Sequence, residues 1–411
     1  MAHPILSLWL LVAGLAPHAC GQGVPDQKNH PIPRTPSASS TFLNNSHLAF
    51  SLYRQMVAPN PDRNVLFSPL SFSLPLTLLA LQARPEVRTR VLRGLGLSLA
   101  EVPENQAHVY YSQQLRSFLP SPEECHIDMD SLLFVNLKQR VLQKFVDTAQ
   151  NLYRTEVFLI SFENDQLAQY EMDFFTRKKT HGKIGNLFEE VDKDTVLVLA
   201  NYIFFKGKWR HSFDPKLTVT RPFWVSERLT IPVPMMQRLG RFQLQHFPQL
   251  HSHVLRLPYS CNSTAVFILP DMGKVGETEE ALMKEDFDTW TQPFPLRKRK
   301  LYFPKFSLPG KIQLDKLLPA VGISDIFSYH AKLSGISLQT MPMKVSKAEH
   351  RAELTADEEG AEEEDTTDLQ ALDKQYLPAL HFNRPFLLLV FEDGSRSLLF
   401  MGKVLNPKTD W

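Results

Sequence analysis

The chain alternates between helix-like and strand-like hydrophobic patterns from about residue 46 onward. Leu48, Leu52, Tyr53 and Met56 recur at intervals typical of one helix face, and the Asn and Ser residues up to Ser46 suit a helix start. No internal repeat and no low-complexity linker interrupts the chain before an acidic stretch near residue 360. The patterns therefore predict one large α+β domain over residues 46–411.

The pattern near the C-terminus predicts a β-hairpin. Residues 386–391 and 398–401 are apolar runs of strand length, and the segment 392–395 between them contains the Asp-Gly turn signal of Asp393 and Gly394. Because both runs are apolar at successive positions, we expect the hairpin to be buried on both faces. The chain thus closes on core structure.

The first 21 residues are typical of a secretory signal. The apolar run 5–16 is shorter than the roughly 18 residues of a membrane-spanning helix, and the small residues Ala19 and Gly21 place cleavage after Gly21. We therefore assign residues 1–21 to a signal peptide. Residues 22–45, rich in Pro, Ser and Gln with few apolar anchors, are assigned to a flexible tail, and the mature protein is expected to be secreted and extracellular.

Composition is that of a soluble globular protein. The 45 basic and 44 acidic residues give a net charge of +1, so no global field favours nucleic acid or an anionic membrane as partner. The sequence contains no G-x-S-x-G, H-E-x-x-H, C-x-x-C, Walker or G-x-G-x-x-G motif. We therefore predict no enzymatic activity, no metal site and no cofactor, and we expect a monomer.

Cysteine usage and sequons fit export. Signal cleavage would remove Cys20 and leave Cys125 and Cys261, whose spacing does not decide whether they pair. An oxidising compartment permits a disulfide, whereas a core of this size does not need one. Asn44 and Asn262 begin N-x-Ser/Thr sequons and are candidate glycosylation sites.

Four segments carry a resemblance that composition cannot. They are NVLFSPLS at 64–71, NYIFFKGKW at 201–209, FNRPF at 382–386 and GKVLNP at 402–407. In sequence, order and spacing they resemble the serpin family, in particular plasma serpins of the alpha-1-antitrypsin type. The resemblance runs from about residue 46 to the C-terminus, and several long motifs in register make it specific.

The resemblance implies an α+β fold with three β-sheets, about nine helices and an exposed reactive-centre loop, here about residues 358–381. In inhibitory members a serine protease cuts a bait bond in this loop and stays acylated. The protease is then dragged across the molecule as the loop enters the central sheet as a new strand. The native state of such a protein is kinetically trapped.

Two groups of residues match functional positions of the family. The first is a polar cluster beneath the opening of the central sheet, where hydrogen bonds hold strands that must later part. We name it the shutter, and it consists of Ser68, Ser71, Asn201 and His350. The second, the breach, lies at the top of that sheet near the start of the loop and consists of Trp209, Lys305 and Glu358.

The loop can be aligned because Gly360 and Phe382 bracket a segment of the same length as in alpha-1-antitrypsin. That register places the bait bond at Lys374-Gln375. A Lys before the bond suits a trypsin-like serine protease, whose specificity pocket holds a carboxylate. The alternative is an exposed loop Lys without a role.

The hinge upstream of that bond departs from the inhibitory pattern, in which a Thr or similar residue precedes small residues, mostly Ala. Residues 361–368 are AEEEDTTD. Alternate side chains of a strand face one side, so inward insertion of Ala361 after Gly360 would bring Glu363, Asp365 and Thr367 beneath the sheet. Burying an unpaired carboxylate costs up to several kcal/mol, and each ~1.4 kcal/mol slows insertion about tenfold. We expect cleavage without trapping.

Two basic groups are candidate sites for a heparin-like glycan. One lies on the segment that matches the helix that binds heparin in some serpins and contains Arg84, Arg88 and Arg93. The other is a short run before a strand and consists of Arg297, Lys298, Arg299 and Lys300. A solvated surface is the alternative for both, and Arg88 cannot share a helix face with Arg90.

The sequence therefore favours a secreted serpin that is non-inhibitory or a poor inhibitor and acts as a carrier, a binding protein or a cleavable substrate. A carrier would hold a small apolar ligand, for which no residue identifies a pocket. The alternative is a suicide inhibitor of a trypsin-like serine protease through Lys374-Gln375. The acidic hinge separates the two interpretations.

Overall fold

The computed structural model describes residues 45–97, 104–117, 119, 125–185, 188, 191–284, 292–338, 343–362 and 377–408. The predicted signal peptide lies outside this part of the chain, as do Asn44, Glu363, Asp365, Thr367, Lys374 and Gln375. Of the predicted tail only Asn45 is described, and it is buried with its side-chain amide bonded to both the N–H and the carbonyl of Leu398. The assignment of Asn45 to the tail is therefore wrong, because these two bonds fix it to the C-terminal hairpin.

Eight α-helices lie in the described residues. They are α1 (Ser46–Val57), α2 (Pro69–Leu81), α3 (Pro85–Gly94), α4 (Glu104–Ser117), α5 (Gln143–Tyr153), α6 (Asp165–Lys179), α7 (Val275–Leu282) and α8 (Leu314–Ala320). The predicted stripe of α1 buries Leu48, Leu52 and Tyr53. None of the helices in the described ranges combines the length and apolar composition needed to cross a membrane.

Sixteen β-strands accompany these helices in the same ranges. They are β1 (Val65–Phe67), β2 (Cys125–Asn136), β3 (Thr155–Ile160), β4 (Leu197–Gly207), β5 (Trp209–His211), β6 (Val219–Ser226), β7 (Leu229–Phe247), β8 (Ser252–Pro258), β9 (Ser263–Pro270), β10 (Leu296–Pro304), β11 (Phe306–Gln313), β12 (Lys347–Ala356), β13 (Gly360–Glu362), β14 (Ala379–His381), β15 (Phe386–Glu392) and β16 (Leu398–Val404). They form three sheets, so the α+β class and the three-sheet architecture are confirmed.

The central sheet has five strands in the order β11-β12-β4-β2-β3. Strand β4 is buried almost throughout, and its side chains alternate between two hydrophobic clusters: Leu199, Ile203 and Phe205 face one, Val198 and Phe204 the other. The sheet is therefore covered on both faces, which explains the continuous apolar run of its sequence. Strands β12 and β4 pair in parallel from Lys347↔Val198 to Thr355↔Lys206.

The largest sheet has nine strands and carries most of the second half of the chain. Its predicted C-terminal hairpin is present: β15 and β16 pair antiparallel, and all their residues are buried. The hairpin packs between β9 and β1, which pair with its outer edges. These strands complete the backbone pairing of the hairpin at both edges, and α1 and α2 also contact β16. The burial of the unbroken apolar runs comes from elements packed on the faces of the sheet.

The third sheet has two strands and contains the first residues of the predicted reactive-centre loop. Strand β13 pairs in parallel with β5, with Gly360 opposite Trp209 and Glu362 opposite His211. Because β5 directly follows the end of β4, the first residues of the predicted loop, in β13, lie beside the end of the central sheet. The start of the loop is thus held outside the central sheet, against a separate short strand.

Candidate functional site

The four predicted shutter residues form one buried hydrogen-bonded cluster. Ser68 donates its backbone N–H to Nε2 of His350 (3.0 Å), and His350 Nδ1 lies 2.6 Å from Oδ1 of Asn201. Since Nε2 accepts a bond, Nδ1 carries the ring proton and donates it to Asn201. The Ser71 hydroxyl donates to the same oxygen (2.9 Å).

Asn201 and His350 are direct neighbours in the register of β4 and β12. Their bond therefore joins the side chains of the two paired strands, β4 and β12. The Asn201 amide nitrogen also donates to the carbonyl of Ser71 (3.2 Å) and the hydroxyl of Ser131 on β2 (3.0 Å). Sequence reasoning missed Ser131, because a single Ser within an apolar strand carries no local signal.

Complete burial sets the charge of the shutter. Desolvation lowers the pKa of His350 from 6.5 to about 3, so the ring is neutral at neutral pH. The Phe72 ring meets the imidazole edge-on, with ring centroids 5.4 Å apart, and helps to exclude water. Burial between β4 and β12 is tolerated by a neutral imidazole whose two nitrogens are both hydrogen-bonded.

The top of the sheet brings the three breach residues together. Trp209 is buried, stacks on Tyr259 with centroids 4.5 Å apart, and donates its indole N–H to the carbonyl of Asp357 (2.8 Å). Lys305 lies 2.6 Å from Glu358, whose other oxygen accepts from the Thr218 hydroxyl (2.8 Å). Although burial raises the pKa of Glu358, the bonds from Lys305 and Thr218 outweigh it, and the net shift is downward.

Further ion pairs at this position escaped the sequence reasoning. Lys206, near the end of β4, contacts Asp357 (2.8 Å) and Glu359 (2.9 Å), which follow β12, and Lys208 contacts Glu359 (3.3 Å). The hydrogen bonds that Lys206 donates to Asp357 and Glu359 raise its pKa, and the bond from Lys206 is the main cause of a lowered pKa at Glu359. We name these ion pairs of Lys206 and Lys208 the lysine clamp. It ties the ends of β4 and β12 to each other.

The hinge residues Gly360 and Ala361 lie in β13. Backbone bonds anchor the preceding turn, since Trp209 donates its N–H to Glu359 (3.0 Å) and Phe213 donates to Glu358 (3.0 Å). A Cβ at Gly360 would lie 2.4 Å from backbone atoms of Ser212, so no larger residue fits there without a shift. Ala361 is exposed in this arrangement.

Comparisons with known proteins agree with this geometry. The family model described as Serpin (serine protease inhibitor) matches residues 43–407. Alpha-1-antitrypsin 1-5 of Mus musculus is 37% identical over 401 residues, covering 97% of each chain. The chain belongs to the serpin family.

Two solved serpin structures resemble it closely. Human glycosylated kallistatin superposes with a TM-score of 0.77 at 33% identity, covering 90% of this chain and 98% of that one. Human thyroxine-binding globulin, solved with thyroxine bound, gives a TM-score of 0.78 at 31% identity, covering 89% of this chain and 98% of that one. The relatives of this chain therefore include both antitrypsin-like proteins and a thyroxine-binding protein.

Cys125 and Cys261 of this serpin, whose pairing the sequence left undecided, form a disulfide. The adjacent sequon residue Asn262 is exposed in a turn with a positive φ of 52°. Its side-chain nitrogen, which would carry a glycan, donates to Glu392 (2.7 Å). In the folded serpin this nitrogen is therefore hydrogen-bonded to the end of β15.

The first basic group of the serpin lies on and just before α3. Arg84 precedes the helix and lies 3.9 Å from Glu86, whereas Arg93 is exposed near its end. Arg88 lines a cleft of about 570 Å³ that also contains His108 and Lys144. The group is spread over different surroundings and does not form one basic face.

The second basic group does not precede a strand, as predicted, but lies within β10. The alternation of a strand separates Arg297 and Arg299 on one face from Lys298 and Lys300 on the other. Arg241, opposite Lys298 in the register with β7, adds a cation to the second face. The apolar residues Leu301 and Phe303 continue the run into the core, which explains why the charged segment is part of the strand.

Proposed function

We propose that this serpin is a secreted protein that inhibits proteases poorly or not at all and acts as a carrier, a binding protein or a cleavable substrate. The observation that carries the proposal is the closed seam between β4 and β12. The two strands pair directly along nine residue pairs, the lysine clamp ties their ends, and an acidic segment would have to enter between them.

Insertion of this loop meets two energetic obstacles. The clamp and the Asn201–His350 bond must first open, and Glu363 and Asp365 would then follow Ala361 into a sheet covered on both faces by apolar clusters. A buried carboxylate without a partner costs up to several kcal/mol. An acylated protease is released by water if insertion takes longer than hydrolysis, so a slow loop favours cleavage without trapping.

Incubation with trypsin at equal molarity, followed by a denaturing gel, tests the proposal. We expect a cleaved loop at Lys374-Gln375, no SDS-stable complex and no gain in thermal stability after cleavage. A stable complex of the wild-type protein with trypsin would overturn the non-inhibitory proposal.

A pair of double variants tests whether the inward-facing acids are the cause. Glu363→Ala with Asp365→Ala removes the carboxylates that would be buried, and we expect a detectable SDS-stable complex. Glu362→Ala with Glu364→Ala is the matched control, because it removes equal charge from the alternate positions. Equal behaviour of the two variants would show that net charge, and not burial, limits insertion.

A working inhibitor of a trypsin-like serine protease is the second candidate function. It is supported by the 37% identity to alpha-1-antitrypsin 1-5 and by the Lys before the aligned bond. Complex formation in the gel would favour this function directly.

For a binding role, two surfaces fit the proposed ligand classes. A cleft of about 510 Å³ lined by Trp224, Val225 and Met272 offers an apolar surface to a small ligand. A relative, human thyroxine-binding globulin, was solved with a small ligand, thyroxine, bound. The face of β10 with Arg241, Lys298 and Lys300 suits a sulfated glycan.

A further inference from the structure

Two histidines and an aspartate from successive strands and their connections meet on the nine-stranded sheet, which we call the outer sheet. His246 on β7 and His253 on β8 are directly opposite in the antiparallel register. Asp271 follows β9, and its backbone N–H donates to the carbonyl of His251 (2.7 Å), which holds the turn against the β7–β8 hairpin. Strand pairing and a turn bond therefore fix all three side chains to one place.

The ligand atoms of these residues have the separations of a metal site. His246 Nε2 lies 3.4 Å from one Asp271 oxygen and His253 Nδ1 lies 3.8 Å from the other, and all three ligand atoms lie within 4.8 Å of one another. Bonds of about 2.0–2.2 Å at a tetrahedral angle place neighbouring ligand atoms about 3.4 Å apart. Small side-chain adjustments thus bring the three onto one ion.

His253 provides a donor atom that the described protein atoms leave unused. Its Nδ1 is shielded from solvent and, within the described residues, has no hydrogen-bond partner. A shielded nitrogen without a partner costs free energy that a bound cation would recover.

We propose that His246, His253 and Asp271 bind a divalent first-row transition ion of the Zn²⁺ class. Two imidazoles and one carboxylate are ligands that Zn²⁺ accepts, and a three-residue set leaves a fourth position for water or a group from another molecule. The three side chains are about 40% exposed, so the cluster borders solvent.

The cationic neighbours set a limit on affinity. Arg384 and Arg299 act electrostatically on His253, and both disfavour a further positive charge. Arg384 donates to the carbonyl of Pro270 (2.7 Å). The rival interpretation is a simple ion pair between the histidines and Asp271, which would require no metal.

Calorimetric titration of the tag-free mature protein with ZnCl₂ at pH 7.4 separates the two interpretations. We expect the wild-type protein to bind Zn²⁺. The stoichiometry should fall by one Zn²⁺ per chain in each of three single variants, His246→Gln, His253→Gln and Asp271→Asn. His47→Gln, on the exposed face of α1, is the matched control and should keep the wild-type stoichiometry. MgCl₂ should not bind at this site, because Mg²⁺ demands oxygen ligands.

A second readout uses thermal unfolding. An ion that binds only the native protein raises the unfolding temperature increasingly with its concentration, so Zn²⁺ should raise it in wild type and in His47→Gln but less in Asp271→Asn. Identical titrations of wild type and all three site variants, or no Zn²⁺ binding by wild type, would overturn the proposal. If His253→Gln does not fold, the His246 and Asp271 variants decide.

Discussion

At the residue scale, His350 is held on both sides, because both of its ring nitrogens are bonded inside the closed seam between β4 and β12. The register of family motifs was enough to place it with Ser68, Ser71 and Asn201, since those positions follow from long matched segments. The same reasoning missed Ser131, whose contact with Asn201 joins residues 70 positions apart. A lone hydroxyl has no periodic signature, so only the strand register reveals it.

Protonation of His350 should make the protein less stable as the pH falls. Burial lowers its pKa from 6.5 to about 3. Between these pH values the imidazole is protonated in the unfolded chain but neutral in the native protein, so protons favour unfolding. This contribution is complete above pH 6.5 and is lost as the pH falls, at up to about 1.4 kcal/mol per pH unit.

Urea unfolding at pH 7, 6 and 5 measures this effect above the range of ordinary carboxylates. His350→Gln can still offer one donor and one acceptor, and we expect it to flatten the pH dependence relative to wild type. Other histidines with lowered pKa values, such as His108 and His381, contribute to both proteins equally. His47→Gln should keep the wild-type slope, and equal slopes for His350→Gln and wild type would contradict the assignment.

At the scale of elements, the central question is what keeps β4 and β12 paired. The backbone ladder, the shutter and the lysine clamp all cross the same seam. The Lys305–Glu358 pair follows from the family register, whereas Lys206 and Asp357 are charged residues 151 positions apart with nothing in the local pattern to connect them. Their contact depends on the parallel pairing that ends at Thr355↔Lys206.

Removal of the clamp's central cation should loosen the top of the seam. Lys206→Met keeps the length of the side chain but loses the bonds to Asp357 and Glu359. Because these groups are partly exposed, we expect the substitution to lower the free energy of local opening by about 1 kcal/mol. This corresponds to an increase of about fivefold in the population of the locally opened state. Amide hydrogen exchange at the ends of β4 and β12 measures that increase.

Two controls accompany the exchange measurement. Lys193→Met removes an exposed cation outside the clamp and should leave exchange unchanged. High salt screens partly exposed ion pairs, so it should bring wild-type exchange toward that of Lys206→Met. Slower or equal exchange in Lys206→Met would show that the ion pairs do not hold the seam.

At the scale of the whole molecule, the sequence predicted the class of fold and several of its parts. The hairpin of β15 and β16 followed from apolar runs and a turn signal alone, and the three sheets followed from the serpin resemblance. The disulfide could not be predicted, because Cys125 and Cys261 are 136 residues apart and the pairing of sheets alone brings them within reach. The cluster at His246 depended on strand register in the same way.

The disulfide should stabilise the whole molecule, because it joins the first strand of the central sheet along the chain, β2, to the turn between β8 and β9 of the outer sheet. A cross-link over 136 residues restricts the unfolded chain, and native disulfides typically contribute about 2–4 kcal/mol. We expect Cys125→Ala with Cys261→Ala to lower the urea midpoint accordingly. Reductant present during unfolding should lower the wild-type midpoint to a similar value and leave the double variant unchanged. A wild-type midpoint indifferent to reductant would mean that the bond adds no net stability, and packing of the two sheets alone would then have to hold them together.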